Sequence, residues 1–236
     1  MFLTGVAQLR LLGLISPGWA SVWKAWIVKS NPQLVKYAAK MRQHIIRGTD
    51  LEVDARFVDM LARRGSTVLD IGCGHGSAVS GLRGRGHAAY GIDPTPEVLD
   101  IAFDNFDAEW FRELGVEGLS PQKLAELGIP NSYDVVLMAG NVPAFLSAES
   151  LRHAFIQVRA LLKPGGFFVV GTTSHLRGGP VDQDTAANIA CLALTQRFSN
   201  WHMGLYSDDS PWTVSVFVAP GEPLRSETPD GIFILE

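Results

Sequence analysis

Val68-Leu69-Asp70-Ile71-Gly72-Cys73-Gly74-His75-Gly76 is the stretch that decides the fold. The apolar run over 67–71 has the length and bulk of a strand buried in a parallel sheet. It ends in glycines at alternate positions, and a helix is predicted over 77–84. A strand, a bare turn and a helix in that order form the phosphate- or cofactor-facing corner of an α/β unit. Glycine allows positive φ there and lets a ligand approach the backbone. The helix behind it would turn its N–H groups and positive dipole end toward the loop. The loop is therefore expected to hold a ligand with polar or negative groups.

Working outward, strands and helices alternate. Strands are predicted at 88–92, 109–113, 133–138 and 167–171. Helices are predicted after Pro96, over 121–127 behind Ser120-Pro121, and over 150–162, stopped by Pro164-Gly165-Gly166. That order implies a parallel sheet with right-handed crossovers. The last third reads differently. A helix near 184–195 leads into 197–206 and the alternating run Trp212–Ala219, joined by the turn-forming Ser207-Asp208-Asp209-Ser210-Pro211. This predicts an antiparallel hairpin at the end of the sheet. Upstream, two helical pieces are predicted over 19–47, punctuated by Asn31-Pro32, and another over 51–64 with Asp50 as its N-cap.

Composition narrows the function. The 236 residues are 47% hydrophobic and 19% charged, a globular balance, with a formal net charge of −4. An acidic chain is poorly suited to nucleic acid, so no nucleic-acid partner is expected. Cys73 and Cys191 form neither a metal-ligand spacing nor a disulfide framework, which favours a reducing cytoplasm. No metal is expected. The apolar start, residues 1–23, is interrupted by Arg10 and Pro17-Gly18. It is too short for a membrane span and lacks a basic leader, so it reads as a packing segment.

The glycine loop does not match a dinucleotide fingerprint. Counted from Gly72, the third glycine of G-x-G-x-x-G would be Ser77, and counted from Gly74 it would be Val79. No Gly-Lys-Ser/Thr tripeptide marks a P-loop. The pattern present is acidic-x-G-x-G-x-G, and it resembles motif I of class I S-adenosylmethionine-dependent methyltransferases. Further stretches resemble that family in its order: Gly91-Ile92-Asp93 at the end of strand two, Trp110 to Leu114 at the end of strand three, Tyr133 to Asn141 as motif IV, and Leu161 to Gly166 before strand five. The closing hairpin resembles the family's antiparallel seventh strand. Met41-Arg42 leading to Gly48-Thr49-Asp50-Leu51 resembles a bacterial, actinobacterial-type subgroup.

The resemblance spans roughly residues 50–219 and implies an α/β Rossmann-like fold. The sheet would have seven strands, mostly parallel, with an antiparallel C-terminal hairpin, helices on both faces and a helical N-terminal extension. Residues 1–50 would form that extension and 51–236 the methyltransferase domain. The resemblance implies methyl transfer from S-adenosyl-L-methionine (EC 2.1.1) to a small-molecule acceptor, by a monomer or homodimer. Cofactor contacts are expected from Asp70, Gly72, Cys73, Gly74, Gly76, Asp93, Pro94, Glu113, Leu114, Ala139, Gly140, Asn141 and Arg42. Asp93 would hold the ribose hydroxyls, Glu113 the adenine amine, and Asp70 the loop or the methionine amino group. His75 reads as packing, and His175 is the better candidate to face a substrate. No catalytic residue is designated. The alternatives are a cofactor-binding protein without transferase activity, a nicotinamide oxidoreductase, which the glycine spacing opposes, and a nucleic-acid methyltransferase. The last is disfavoured because Ala139-Gly140-Asn141-Val142-Pro143 lacks the Asn/Asp-Pro-Pro-Tyr/Phe pattern.

Overall fold

The computed structural model describes residues 32–221. The chain divides into two compact units, one ending at Arg47 and the next beginning at Gly48. In the first, α1 spans Pro32–Ile46, the second of the two helical pieces read from 19–47. The first piece and the apolar start lie outside the described residues.

The second unit is built on one sheet. Its strands are β1 Thr67–Ile71, β2 Ala88–Asp93, β3 Phe111–Glu113, β4 Tyr133–Met138, β5 Leu162–Thr173, β6 Ala193–Phe198 and β7 Trp212–Val218, in the order β3-β2-β1-β4-β5-β7-β6. β1 pairs in parallel with β2 and β4, β2 with β3, and β4 with β5. β7 runs antiparallel to β5 and β6. The doubly wound sheet with its terminal hairpin is as expected. Strand order reverses between β1 and β4, so the crevice beyond their carboxyl ends is where an open α/β sheet binds ligands.

Helices cover both faces because the central strands are apolar on both sides. One face packs against α2 (Val53–Leu61), α3 (Ser77–Gly84) and α4 (Pro96–Asn105), through Phe57, Val58, Val79, Leu82 and Leu99. The other packs against α5 (Pro121–Glu126), α7 (Ala148–Leu161) and α8 (Pro180–Ala190). At its centre Phe155 of α7 meets Phe168 edge-on at 4.9 Å and Phe217 at 5.6 Å, all three fully buried. Such a cluster cannot collapse around a missing ring. Phe155→Ala is expected to cost about 3–5 kcal/mol, read as a lower midpoint in a urea melt.

Several boundaries differ from the sequence reading. α2 begins at Val53, and Asp50 does not cap it. Asp50 instead accepts the Glu52 N–H and grips Arg56 with both oxygens at 2.9 and 2.7 Å. β3 is only Phe111–Glu113, because a 3-10 turn over Ala108–Trp110 precedes it. α7 starts two residues early, where the Ser147 hydroxyl accepts the Ser150 N–H. β5 absorbs the expected Pro164-Gly165-Gly166 stop as its irregular beginning. A Cβ on Gly166 would lie 2.9 Å from the Asp134 carbonyl, so the glycine lets β5 close on β4.

The largest correction is in the last third. α8 runs over Pro180–Ala190, not 184–195, and ends where Cys191 takes φ +56. The first arm of the hairpin is Ala193–Phe198, not 197–206. Residues 199–211 form a connection, with a single bridge between Phe198 and Leu205.

Candidate active site

The crevice at the carboxyl edge of β1, β2 and β4 is built by three turns. The first is the loop after β1. Gly72, Gly74 and Gly76 all take positive φ, at +77, +53 and +82. Their bareness serves two different ends. A Cβ on Gly72 would run into Val142, and one on Gly76 would lie 2.7 Å from the Phe111 ring. Those two are small because protein packs on them. Only Gly74 opens to space, with nothing nearer than Val98 at 3.5 Å.

Four of the loop's amides are engaged within the protein. The Gly72 and Cys73 N–H groups both donate to the Ile92 carbonyl, at 2.8 and 3.1 Å. The Gly74 N–H donates to Asp93 Oδ2 at 3.0 Å, and the Gly76 N–H to the Cys73 carbonyl at 2.9 Å. An anion nest needs converging free amides, and these four are engaged. The Cys73 side chain packs over Gly91, where a Cβ would lie 2.6 Å from the sulfur. Burial pushes its thiol well above the ordinary range. Its side chain belongs to the core, leaving its backbone as the part that can meet a ligand.

The loop's surroundings are instead acidic. Asp93, at the end of β2, is 8% exposed and accepts from both the Gly74 and Thr95 N–H groups. Burial raises its carboxyl, and the two N–H groups lower it in part. Asp70, on β1, is 3% exposed. Burial, first, and then the like charges of Asp54 and Asp93 push it well above the usual carboxylate range. Among the described residues no cation or hydrogen-bond donor offsets that charge. A buried carboxylate in this state is costly unless something positive arrives.

Asp54, in the first turn of α2, was not anticipated from sequence, because nothing in its neighbourhood marks it. Burial raises it from 3.8 to about 6. The native state then binds a proton that the unfolded chain has already released, so stability falls as pH rises from about 4 to about 6. Asp54→Asn removes this cost, up to about 3 kcal/mol. The gap between the melting temperatures of variant and wild type is expected to widen over that window in a pH series of melts. A constant gap would show that Asp54 titrates normally.

The remaining expected residues distribute unevenly. Glu113 is level with Asp93 in the β2–β3 register and exposed. Leu114 donates its N–H to the Asp93 carbonyl at 3.1 Å, and Pro94 is exposed beside it. Ala139 is buried at the end of β4. Gly140 follows at φ +63 with open space around it, and Asn141 at φ +70 opens the short helix α6 (Val142–Phe145). Arg42 belongs to α1 of the first unit, where its side chain is exposed. His175 is exposed on the loop after β5, and His75 half-buried in the glycine loop.

With this geometry in place the likenesses are informative. A profile of the methyltransferase domain matches residues 68–166. The solved TehB-like S-adenosylmethionine-dependent methyltransferase of Corynebacterium glutamicum is 26% identical. It covers 80% of this chain and 100% of its own, with a TM-score of 0.68. The CcbJ methyltransferase of Streptomyces caelestis is 21% identical over 72% of this chain and 89% of its own, at TM-score 0.62. The N-methyltransferase NodS of Bradyrhizobium japonicum is 18% identical over 72% and 94%, at 0.53. No curated protein matches significantly. In fold and motif order the chain is similar to S-adenosylmethionine-dependent methyltransferases.

Proposed function

We propose that this enzyme methylates a small-molecule acceptor, with S-adenosylmethionine held at the carboxyl edge of β1, β2 and β4. The observation that carries the reading is Asp70, a carboxylate buried beside two others with no described cation. A ligand with an ammonium and a sulfonium supplies the missing positive charge, whereas a phosphate ligand would add to the repulsion. The engaged loop amides argue the same way.

Asp93 keeps acceptor capacity beyond its two N–H partners, and ribose hydroxyls would use it. Pro94, Glu113 and Leu114 would lie along the adenine side. Gly74 and Gly140 leave room where a side chain would block approach. When bound, the cofactor supplies a methyl group on a sulfonium that leaves as a neutral thioether. The chain's own work is to orient the acceptor and exclude water, and such positioning is worth up to about 7–11 kcal/mol in favourable cases.

Two further expectations belong with this reading. Residues 1–50 act as a helical extension to the catalytic domain of 51–236. No helix of the described residues is long and apolar enough to cross a membrane. The unpaired Cys73 and exposed Cys191 suit the reducing cytoplasm.

The test is transfer from methyl-labelled S-adenosylmethionine to a panel of small amines, phenols and carboxylic acids. Label in an acceptor together with release of S-adenosylhomocysteine is expected. Absence of both transfer and cofactor binding would contradict the proposal.

A further inference from the structure

Asn141 is held in an unusual way. It takes φ +70, in the left-handed region, directly after Gly140 at +63. Its side-chain Oδ1 accepts three hydrogen bonds: from Thr172 Oγ1 at 2.7 Å, from the Thr173 N–H at 2.9 Å and from Thr173 Oγ1 at 2.9 Å. Thr172 is fully buried. A backbone N–H can only donate, so the amide atom facing Thr173 must be the oxygen. Rotating the amide would set its NH2 against that N–H. The orientation is therefore fixed, with Nδ2 and its two hydrogens directed away from β5. No described residue accepts from them.

Asn141 also lies at the glycine loop. Val142, the next residue, occupies the space beside Gly72. β4 lies beside β1, with Leu137 paired to Asp70. The same strand edge thus carries a carboxylate without a cation and an amide donor without an acceptor. We propose that Asn141 is a locked hydrogen-bond donor for the carboxylate of an amino-acid head group, the methionine end of the cofactor, while Asp70 faces its ammonium. The inference rests on the cofactor reading above. It also removes Asn141 as a group that could take a proton from the methyl acceptor, because its oxygen is already filled by three donors.

A binding cycle tests this without turnover. The probes are S-adenosylhomocysteine, which has the amino-acid head, and 5′-methylthioadenosine, which lacks it. Asn141→Asp tolerates the left-handed backbone and can accept the same three donors, but presents a carboxylate oxygen in place of NH2. It is expected to raise the Kd for S-adenosylhomocysteine about tenfold or more, while the Kd for methylthioadenosine stays within about twofold. The double variant Thr172→Val, Thr173→Val loosens the amide by removing two of its three donors, with the Thr173 N–H retained, and should raise only the first Kd, by about threefold. It carries the test should Asn141→Asp fail to fold. Equal losses for both probes, or no loss for either, would overturn the role of Asn141 and leave the cofactor site standing. A wild-type protein that binds neither probe would overturn the cofactor reading itself and this inference with it.

Discussion

Asp70→Asn is expected to make the ligand-free protein more stable while weakening its hold on S-adenosylmethionine. The wild-type carboxylate is buried, lies among like charges and has no described cation beside it. Its raised pKa means that folding above the ordinary carboxylate range costs free energy, either as an ionised group in a dry site or as a proton taken up. An amide of the same shape removes that cost. A gain on the order of 2 kcal/mol is expected near pH 7.5, which for a chain of this size raises Tm by about 4–8 °C. The same substitution takes away the charge proposed to face the cofactor's ammonium, and affinity should fall by about tenfold or more. Thermal melts and calorimetric titration of one variant supply both readings. A variant that is destabilised, or that binds as tightly as wild type, would show that Asp70 serves the fold and not the ligand.

Asp93→Ala is expected to have the opposite balance, with the larger loss in binding. Its carboxylate joins the glycine loop to the end of β2 through the Gly74 N–H at 3.0 Å and the Thr95 N–H at 2.8 Å. Removing it leaves the Gly74 amide without its acceptor and, on the proposed reading, the ribose hydroxyls without theirs. Two charge-assisted hydrogen bonds at about 1.5–3 kcal/mol each predict a loss of roughly 100-fold or more in cofactor affinity. Asp93→Asn keeps one carbonyl oxygen and should fall between alanine and wild type. Titration of both variants with S-adenosylhomocysteine checks the order. Unchanged affinity in the alanine variant would place the ribose elsewhere.

These two aspartates show what was legible in the chain itself. Asp93 closes a short apolar strand and Asp70 is the last residue but one of another, and a carboxylate near the end of a parallel strand falls where α/β sheets bind ligands. The alternation of strands with helical spacing fixed the layers and the parallel core for the same reason, since both signals are local. What the loop would hold was less legible. Glycine spacing shows where the backbone can turn, but not which amides are used. The Ile92 carbonyl and Asp93 engage three of them from another strand.

The remaining misses are also non-local. Asp54 acquires its character from burial, which its neighbours in sequence do not announce. The lock on Asn141 comes from threonines more than thirty positions away. The helix over 184–195 was overextended because Cys191 ends it in a conformation that its residue type does not advertise. β6, which follows, is mostly exposed and lacks the apolar alternation that marks a half-buried strand. Pro164-Gly165-Gly166 read as a stop because proline and glycine usually punctuate. Here an open backbone is what lets β5 approach β4.

The central physical claim proposed here is that two buried acids, Asp70 and Asp93, with the half-buried Asp54 near them, stay short of positive charge until a cationic cofactor arrives. Calorimetric titration of the wild-type protein with S-adenosylmethionine at pH 5.5 and 7.5, each in two buffers of different ionisation enthalpy, tests it most directly. One site should be filled at both values, more tightly at pH 7.5, with protons released to the buffer as the carboxylates ionise. No heat at saturating cofactor, or binding that weakens as pH rises, would contradict it.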